Sequence, residues 1–279
     1  MSSILTNNGA MVALQTLKGI NSNLARTQNE ISTGKSVATA KDNAAIWATS
    51  KIMESDESSF KAIGSQLNVA EATVAVSRNG AEQITKLLRE MKDLAVSAAN
   101  DSADHDKINA DIQAKKTQIT SVIDASQMNG INLLKNDVGN GTSNFTVLAS
   151  LDRTGAITAK SDITVASTNF ETTIEGVTIA AVTDGATART AITAIEALIE
   201  VAANGAAALG SSGKRITDQT EFVGKLADSL KSGIGSMVDA DMEEVSARLQ
   251  ALQVQQQLAT QSLSIANQAP QSLLSLFRG

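Results

Sequence analysis

Apolar residues recur every seven positions along most of the chain, the period of a helix packed lengthwise against another helix. Stepping by seven from residue 46 gives Ile46, Met53, Phe60, Leu67, Val74, Ala81, Leu88 and Ala95, an unbroken apolar row. A companion row three residues on holds Ile63, Ala70, Ile84, Met91 and Ala98 among Thr49, Asp56 and Ser77. Together they predict one helix of about 80 Å at about 1.5 Å per residue. It should begin near residue 42, where Thr39 and Asp42 have the form of a capping box, and end in the polar run 100–104. A shorter helix is predicted over about 105–127, with Ile108, Ile112, Ile119 and Ile123 on one face, folding back on the first.

The period returns in Ala188, Ile195, Ala202, Leu209, Ile216, Val223, Leu230 and Met237, then breaks at Glu244. A new seam starts one residue out of phase: Val238, Met242, Val245, Leu249, Leu252, Gln256, Ala259, Leu263 and Ala266. That slip, beside Gly233 and Gly235, predicts a bend or a boundary between two packed segments. The N-terminal end carries a matching seam in Ala10, Leu14, Leu17, Asn21, Leu24, Gln28 and Ile31, closed by residues 32–34.

Between the helical stretches the pattern changes. Asn129-Gly130 punctuates the chain, a Gly- and Asn-rich stretch follows from 136, and Thr then alternates with Val or Ile. Residues 145–148, 163–165 and 173–179 read as strands, so about 140–183 is the β-rich portion of a mainly α protein.

Composition sharpens this picture. Aromatic residues are only 2% and Pro occurs once, while Ala supplies much of the 42% that is hydrophobic. Such a chain suits long, thin, small-residue packing. Without Cys there are no disulfides, thiolate nucleophiles or cysteine-ligated metals. Net charge −6 and a pI near 4.9 would repel a phosphate backbone, so nucleic acid is not an expected partner. The start lacks the basic and apolar regions of a secretory leader, and no run approaches the about 18 uninterrupted apolar residues of a membrane span. The expectation is a protein outside the membrane, exported, if at all, without a cleaved leader.

Candidate chemistry is sparse. His105 stands alone between Asp104 and Asp106 and reads as solvated surface, since a metal would need more ligands. Asp239, Asp241, Glu243 and Glu244 suit the start of a helix, whose dipole favours acids there. Gly139-Asn140-Gly141 has no following Lys-Ser/Thr and is a turn. Gly210 and Gly213 suggest close helix approach, and Trp47, the only Trp, a packing residue. No catalytic residue, metal site or cofactor is expected.

The terminal helices pose the main question. Neither can bury its seam alone, because an isolated helix is marginal in water. Burial of each Leu or Ile is worth about 1.5–3 kcal/mol, so the seams could offset ordering if they met each other or further copies. Polar Asn21, Gln28 and Gln256 within them favour a particular register at some cost in stability.

Three motifs resemble one family. They are Leu24–Lys35 with Ala40–Ala48, then Asn129-Gly-Ile-Asn-Leu-Leu134, then Leu249–Gln253 with Leu258–Gln268 and Leu273–Arg278. In this order, at both ends of the chain, they resemble bacterial flagellin, especially the short flagellins of alphaproteobacteria. Met128 stands where many flagellins carry Phe. The resemblance implies an elongated rod of long antiparallel helices with a β-hairpin region, plus a coiled coil formed by the two termini. On that analogy residues 1–44 with 239–279 form an inner domain lining a channel, and 45–238 form the rod. The polymerisation seams would be Leu14, Leu17, Leu24 and Ile31 with Val238, Met242, Val245, Leu249, Leu252 and Leu263.

The resemblance further implies a structural subunit of the flagellar filament, secreted unfolded through the flagellum's own type III export apparatus. Its partners would be further copies of itself in a helical homopolymer, sister flagellins, an export chaperone, the filament cap and hook-filament junction proteins. Residues 86–99, with Arg89, Glu90, Met91 and Leu94, correspond to a rod surface read by a vertebrate innate immune receptor in many flagellins. Acidic Glu90 replaces the usual Arg, which predicts poor recognition. Rival readings are a hook-filament junction protein of the same superfamily and a chemoreceptor-like signalling bundle. The short middle favours flagellin over the former, and a β-rich, polar centre argues against the latter. An enzyme is disfavoured because nucleophile–base pairs and cofactor loops are lacking.

Overall fold

The structure, a computed structural model, describes residues 7–151 and 161–276, the side chains of 269–276 excepted. Helix α1 spans Asn8–Thr33, α2 Ala44–Ala98 and α3 His105–Ala125; strands β1 (Asn144–Leu148) and β2 (Asp162–Ala166) follow, then α4 (Gly185–Val238) and α5 (Met242–Leu276). The fold is mainly α with one small antiparallel sheet, as expected.

Each of these helices starts on an Asn or Asp whose side-group oxygen accepts a hydrogen bond from an otherwise orphaned first-turn N–H. The donors are Ala10 to Asn7, Ile46 to Asn43, Lys107 to Asp104, Thr187 to Asp184 and Glu244 to Asp241. The expected cap of α2 is therefore displaced. Asp42 accepts from the Thr39 N–H and hydroxyl in the turn before the helix, and Asn43 does the capping. Gly34, at φ 68°, ends α1 in the left-handed conformation that glycine adopts without a Cβ clash.

The chain divides into two compact units, Glu57–Asp228 and Met1–Asp56 with Ser229–Gly279. In the central unit the predicted rows are the core. Phe60, Leu67, Val74, Ala81, Leu88 and Ala95 of α2 are buried, as are Ala188, Ile195, Ala202, Leu209, Ile216 and Val223 of α4. Across these helices Glu71 meets Thr217, Val74 lies beside Gly213, and Lys92 pairs with Glu196 at 2.8 Å. One number rises as the other falls, so the helices run antiparallel. Helix α3 returns along α2, burying Ile112, Ile119 and Ile123. His105 marks the fold-back: its Nε2 lies 3.0 Å from the Ala98 carbonyl, so the ring is half-buried and bonded, not free surface.

Helix α4 holds an 18-residue window long and apolar enough, by length and composition, to cross a membrane. Its heptad row is spent on this unit's own core.

Strands β1 and β2 pair from Asn144↔Ala166 to Leu148↔Asp162, burying Val147, Ile163 and Val165. The third predicted strand does not form. Residues Glu171–Glu175 make a π-helical turn closed by the Gly176 N–H on the Glu171 carbonyl at 3.0 Å. The β-branched run Thr172-Thr-Ile174 favours a strand, but tertiary anchoring overrides that preference. Phe170 is fully buried against Gly205, and Thr173 donates from both N–H and hydroxyl to the Asn169 carbonyl.

Glycines at helix contacts also differ from expectation. A Cβ at Gly213 would stand 3.6 Å from Val74 and one at Gly210 4.0 Å from Arg78, ordinary contacts. Close approach occurs instead at Gly205, where a Cβ would stand 2.5 Å from Phe170, and at Gly80, where one would stand 2.1 Å from the Ser126 hydroxyl. Likewise the phase slip is resolved at residues 239–241, between α4 and α5, while Gly233 and Gly235 stay helical.

Candidate functional site

The terminal unit is built on α1 and α5, which pack antiparallel, Asn7 meeting Ala266 and Asn21 meeting Gln256. Their ends are pinned by backbone. The Val238 carbonyl accepts from the N–H groups of Ser36 and Val37, and the Ala240 N–H donates to the Gly34 carbonyl at 3.0 Å. Lys35 and Asp239 pair as an isolated bridge. The loops that lead into α2 and out of α4 are thus laced together, fixing where both terminal helices start.

Along α5 the less exposed positions are the predicted ones: Val245, Leu249, Leu252, Gln256, Ala259, Leu263 and Ala266. Val238, ending α4, is buried, whereas Met242 is 43% exposed. On α1 the inward row is Ala10, Ala13, Leu17, Ile20, Leu24, Thr27, Glu30 and Ile31, so the anticipated seam is met at alternate steps and rotated between them. Ala10, Leu17, Leu24 and Ile31 belong to it; Leu14, at 43% exposure, Asn21 and Gln28 face outward. The reason is polar. Thr27 and Glu30 are buried beside Arg248 and Leu252, with Arg26 Nε bonded to Glu30 at 3.1 Å. An apolar count along the sequence misses a Thr and a Glu that take core positions. Two seam polars find each other, Gln256 donating to Asn21 at 2.7 Å, and Asn7 Nδ2 donates to the Ala266 carbonyl at 2.7 Å.

Each helix closes one face only. Met11, Val12 and Leu14 on α1 and Val254, Leu258 and Ile265 on α5 remain 43–69% exposed. A groove of about 510 Å³ runs between the helices, lined by Val12, Ala13, Ile20, Leu258 and Ala259 among others. Large exposed apolar patches mark interaction surfaces. The motif Leu273–Arg278 lies outside the described side chains.

The resembling rod stretch lies in the central unit. Arg89 is exposed, Leu94 half-buried, and Glu90 half-buried in an ion pair with Lys115. The Lys115 hydrogen bond holds the Glu90 carboxyl below the usual carboxylate range. Met91 is not surface at all: it is fully buried, as its place in the companion heptad row requires.

The central motif has a clear structural task. Asn129 and Gly130, at φ 52° and 80°, make a two-residue hairpin turn between Met128 and Ile131. Buried Asn132 donates to the Ile123 carbonyl at 2.7 Å and accepts from the Leu134 N–H, pinning the loop to the end of α3. Leu133 and Leu134 are then fully buried. Among the described residues no cluster of His, Asp or Glu could hold a metal ion.

Two family profiles match the sequence. Residues 4–138 match the bacterial flagellin N-terminal helical region, and residues 192–277 match the bacterial flagellin C-terminal helical region. Relatives align over its whole length. Flagellin FljK of Caulobacter vibrioides is 40% identical, covering 99% of that protein. A flagellin of Brucella melitensis is 38% identical and flagellin C of Rhizobium meliloti 33%, each covered in full.

Proposed function

The chain belongs to the bacterial flagellins, and on that premise we propose that it is a structural subunit of the flagellar filament that builds the filament by burying the open faces of α1 and α5 among neighbouring copies. The reading is carried by one observation: the terminal helix pair leaves an apolar stripe on both helices and a groove between them uncovered.

In this reading residues 1–44 with 239–279 form the inner domain and 45–238 the rod. Leu17, Leu24 and Ile31 with Val245, Leu249, Leu252 and Leu263 hold α1 to α5. Leu14 and Met242, exposed in the single molecule, join Val254, Leu258 and Ile265 in contacts between copies. Coupled ordering and association opposes the entropy of the terminal segments with apolar burial. Assembly outside the cell follows export through the flagellar type III apparatus, with an export chaperone, filament cap and junction proteins as partners, and sister flagellins sharing the filament. The mechanism needs no catalytic group.

The test is elongation of short filament seeds by purified protein, followed by electron microscopy and light scattering. Growth supports the reading. A protein that folds yet never elongates seeds under any salt or pH condition overturns it.

For residues 86–99 we propose weak recognition by the vertebrate receptor. The ion pair with Lys115 commits Glu90 to intramolecular contact and leaves an acid where the usual surface is basic. Strong receptor stimulation by pure monomer at nanomolar concentration would refute this.

A further inference from the structure

The central unit contains four Asn-Gly pairs, at 79–80, 129–130, 140–141 and 204–205. Asn-Gly is the dipeptide most prone to spontaneous loss of the Asn amide, because glycine offers no bulk to block its own N–H. In that reaction the Gly nitrogen attacks the Asn Cγ. A bond forms between that nitrogen and Cγ, the bond from Cγ to Nδ2 breaks, and the glycine proton leaves with ammonia. Water then opens the cyclic imide, giving either Asp or a backbone rerouted through the β-carbon.

The four pairs share this chemistry but not their surroundings. Asn79-Gly80 and Asn204-Gly205 lie inside α2 and α4, where each backbone N–H is directed to a carbonyl four residues back. Both glycines are wedged against buried groups, Gly80 against Ser126 and Leu134, Gly205 against Phe170, so exposing either requires opening the core. In the third pair the Gly141 N–H donates to Asp137 Oδ1 at 2.9 Å. The Asn140 amide is also held, accepting from Thr142 and donating to the Asn144 carbonyl.

Asn129-Gly130 is different. Both residues are exposed, and they occupy the centre of the hairpin turn. The turn's two hydrogen bonds, at 2.9 and 3.0 Å, use the backbone of Met128 and Ile131 only. Among the described residues neither the Gly130 N–H nor the Asn129 amide group has a hydrogen-bond partner. Cyclisation there requires only the opening of one short turn at the surface, a local event far below global unfolding.

We propose that Asn129 is the site at which this unit spontaneously converts an asparagine to aspartate or its β-linked isomer, so that the Asn129-Gly130 turn records the age of the folded protein. The product adds a negative charge, and the β-linked form adds a methylene to the turn. That extra length shifts the Gly130 carbonyl, which packs so close to the Gly139 backbone that a Cβ there would stand 2.0 Å from it. The aged loop over 128–139 is then looser and more easily cleaved.

Conversion at Asn129 does not depend on filament assembly and is tested on the full wild-type protein. The protein is incubated in mildly alkaline buffer, digested, and mapped by mass spectrometry with a probe for β-linked aspartate, in native buffer and in denaturant. In native buffer Asn129 should convert at least about tenfold faster than Asn79, Asn140 or Asn204, the ratio set by about one net hydrogen bond of difference in opening. In denaturant the four should converge. Equal native rates, or Asn140 converting first, overturn the proposal. So does an Asn129 lead that persists unchanged in denaturant, since the cause would then be local sequence and not structure.

Discussion

The central and terminal units carry the same seven-residue apolar period, yet only one of them closes its core. In the central unit Leu67, Leu88, Met91, Ile195 and Leu209 are almost wholly inaccessible, because α2, α3, α4 and the hairpin supply neighbours on several sides. In the terminal unit α1 and α5 have each other, and Leu258 and Ile265 stay 58% and 69% exposed. A heptad thus states that a helix needs a partner without stating how many. The missing neighbours of α1 and α5 are what self-assembly supplies in the proposed function.

Deletion should separate the two units most strongly. A variant lacking residues 242–279 should lose seeded elongation entirely, while the central unit keeps its cooperative thermal transition by circular dichroism. Retained elongation would mean that the open face of α5 is not the assembly surface.

Single truncations sharpen it. Leu88→Ala should cost about 2–5 kcal/mol of stability, as a buried Leu leaves a cavity. Leu258→Ala should change monomer stability by no more than about 0.5 kcal/mol, while raising the concentration needed for elongation. Denaturant titration of both variants, beside a seeded assay, separates the two roles.

Glycines give an effect of opposite sign. Gly205→Ala drives a methyl into the Phe170 ring and should destabilise by about 1–3 kcal/mol. Gly210→Ala meets only ordinary contact and should stabilise by about 1 kcal/mol through helix propensity. A shared sign in thermal melts would show that the helix contact at 205 yields more easily than its distances imply.

The smallest effect is electrostatic. Because Lys115 holds the Glu90 carboxyl low, the pair's contribution is present above the unfolded Glu range and is lost as pH falls through the folded value. The melting-temperature gap between wild type and Glu90→Gln should therefore be widest at neutral pH and close in acid. A gap independent of pH would assign the difference to packing.

Some of the terminal surface could be read directly from the sequence. The α5 seam matches its inward face from Val245 to Ala266, because its positions recur at intervals of four and three, although Gln256 interrupts the row and Val254, Leu258 and Ile265 lie off it. The α1 seam was legible only in part. Thr27 and Glu30 are buried by contact with α5 and by the Arg26 ion pair, and neither residue announces burial by type. His105 likewise looked like bare surface, since nothing local signals that the turn after α2 brings the Ala98 carbonyl to its ring. Asn132 stands in the motif that carries the resemblance, but neither its burial nor its partner on α3 was legible from it.

Local sequence alone specifies the helical period, the Asn129-Gly130 turn, and the need of both ends for company. Those features depend on neighbours a few residues apart, and local sterics and hydrogen bonding decide them. Only the tertiary structure decided that residues 173–179 form no strand, that closeness falls at Gly80 and Gly205, and that α1 turns Leu14 outward. Each depends on a group distant in the sequence, Phe170 against α4, Ser126 against α2, or α5 against Thr27, whose position no local pattern encodes.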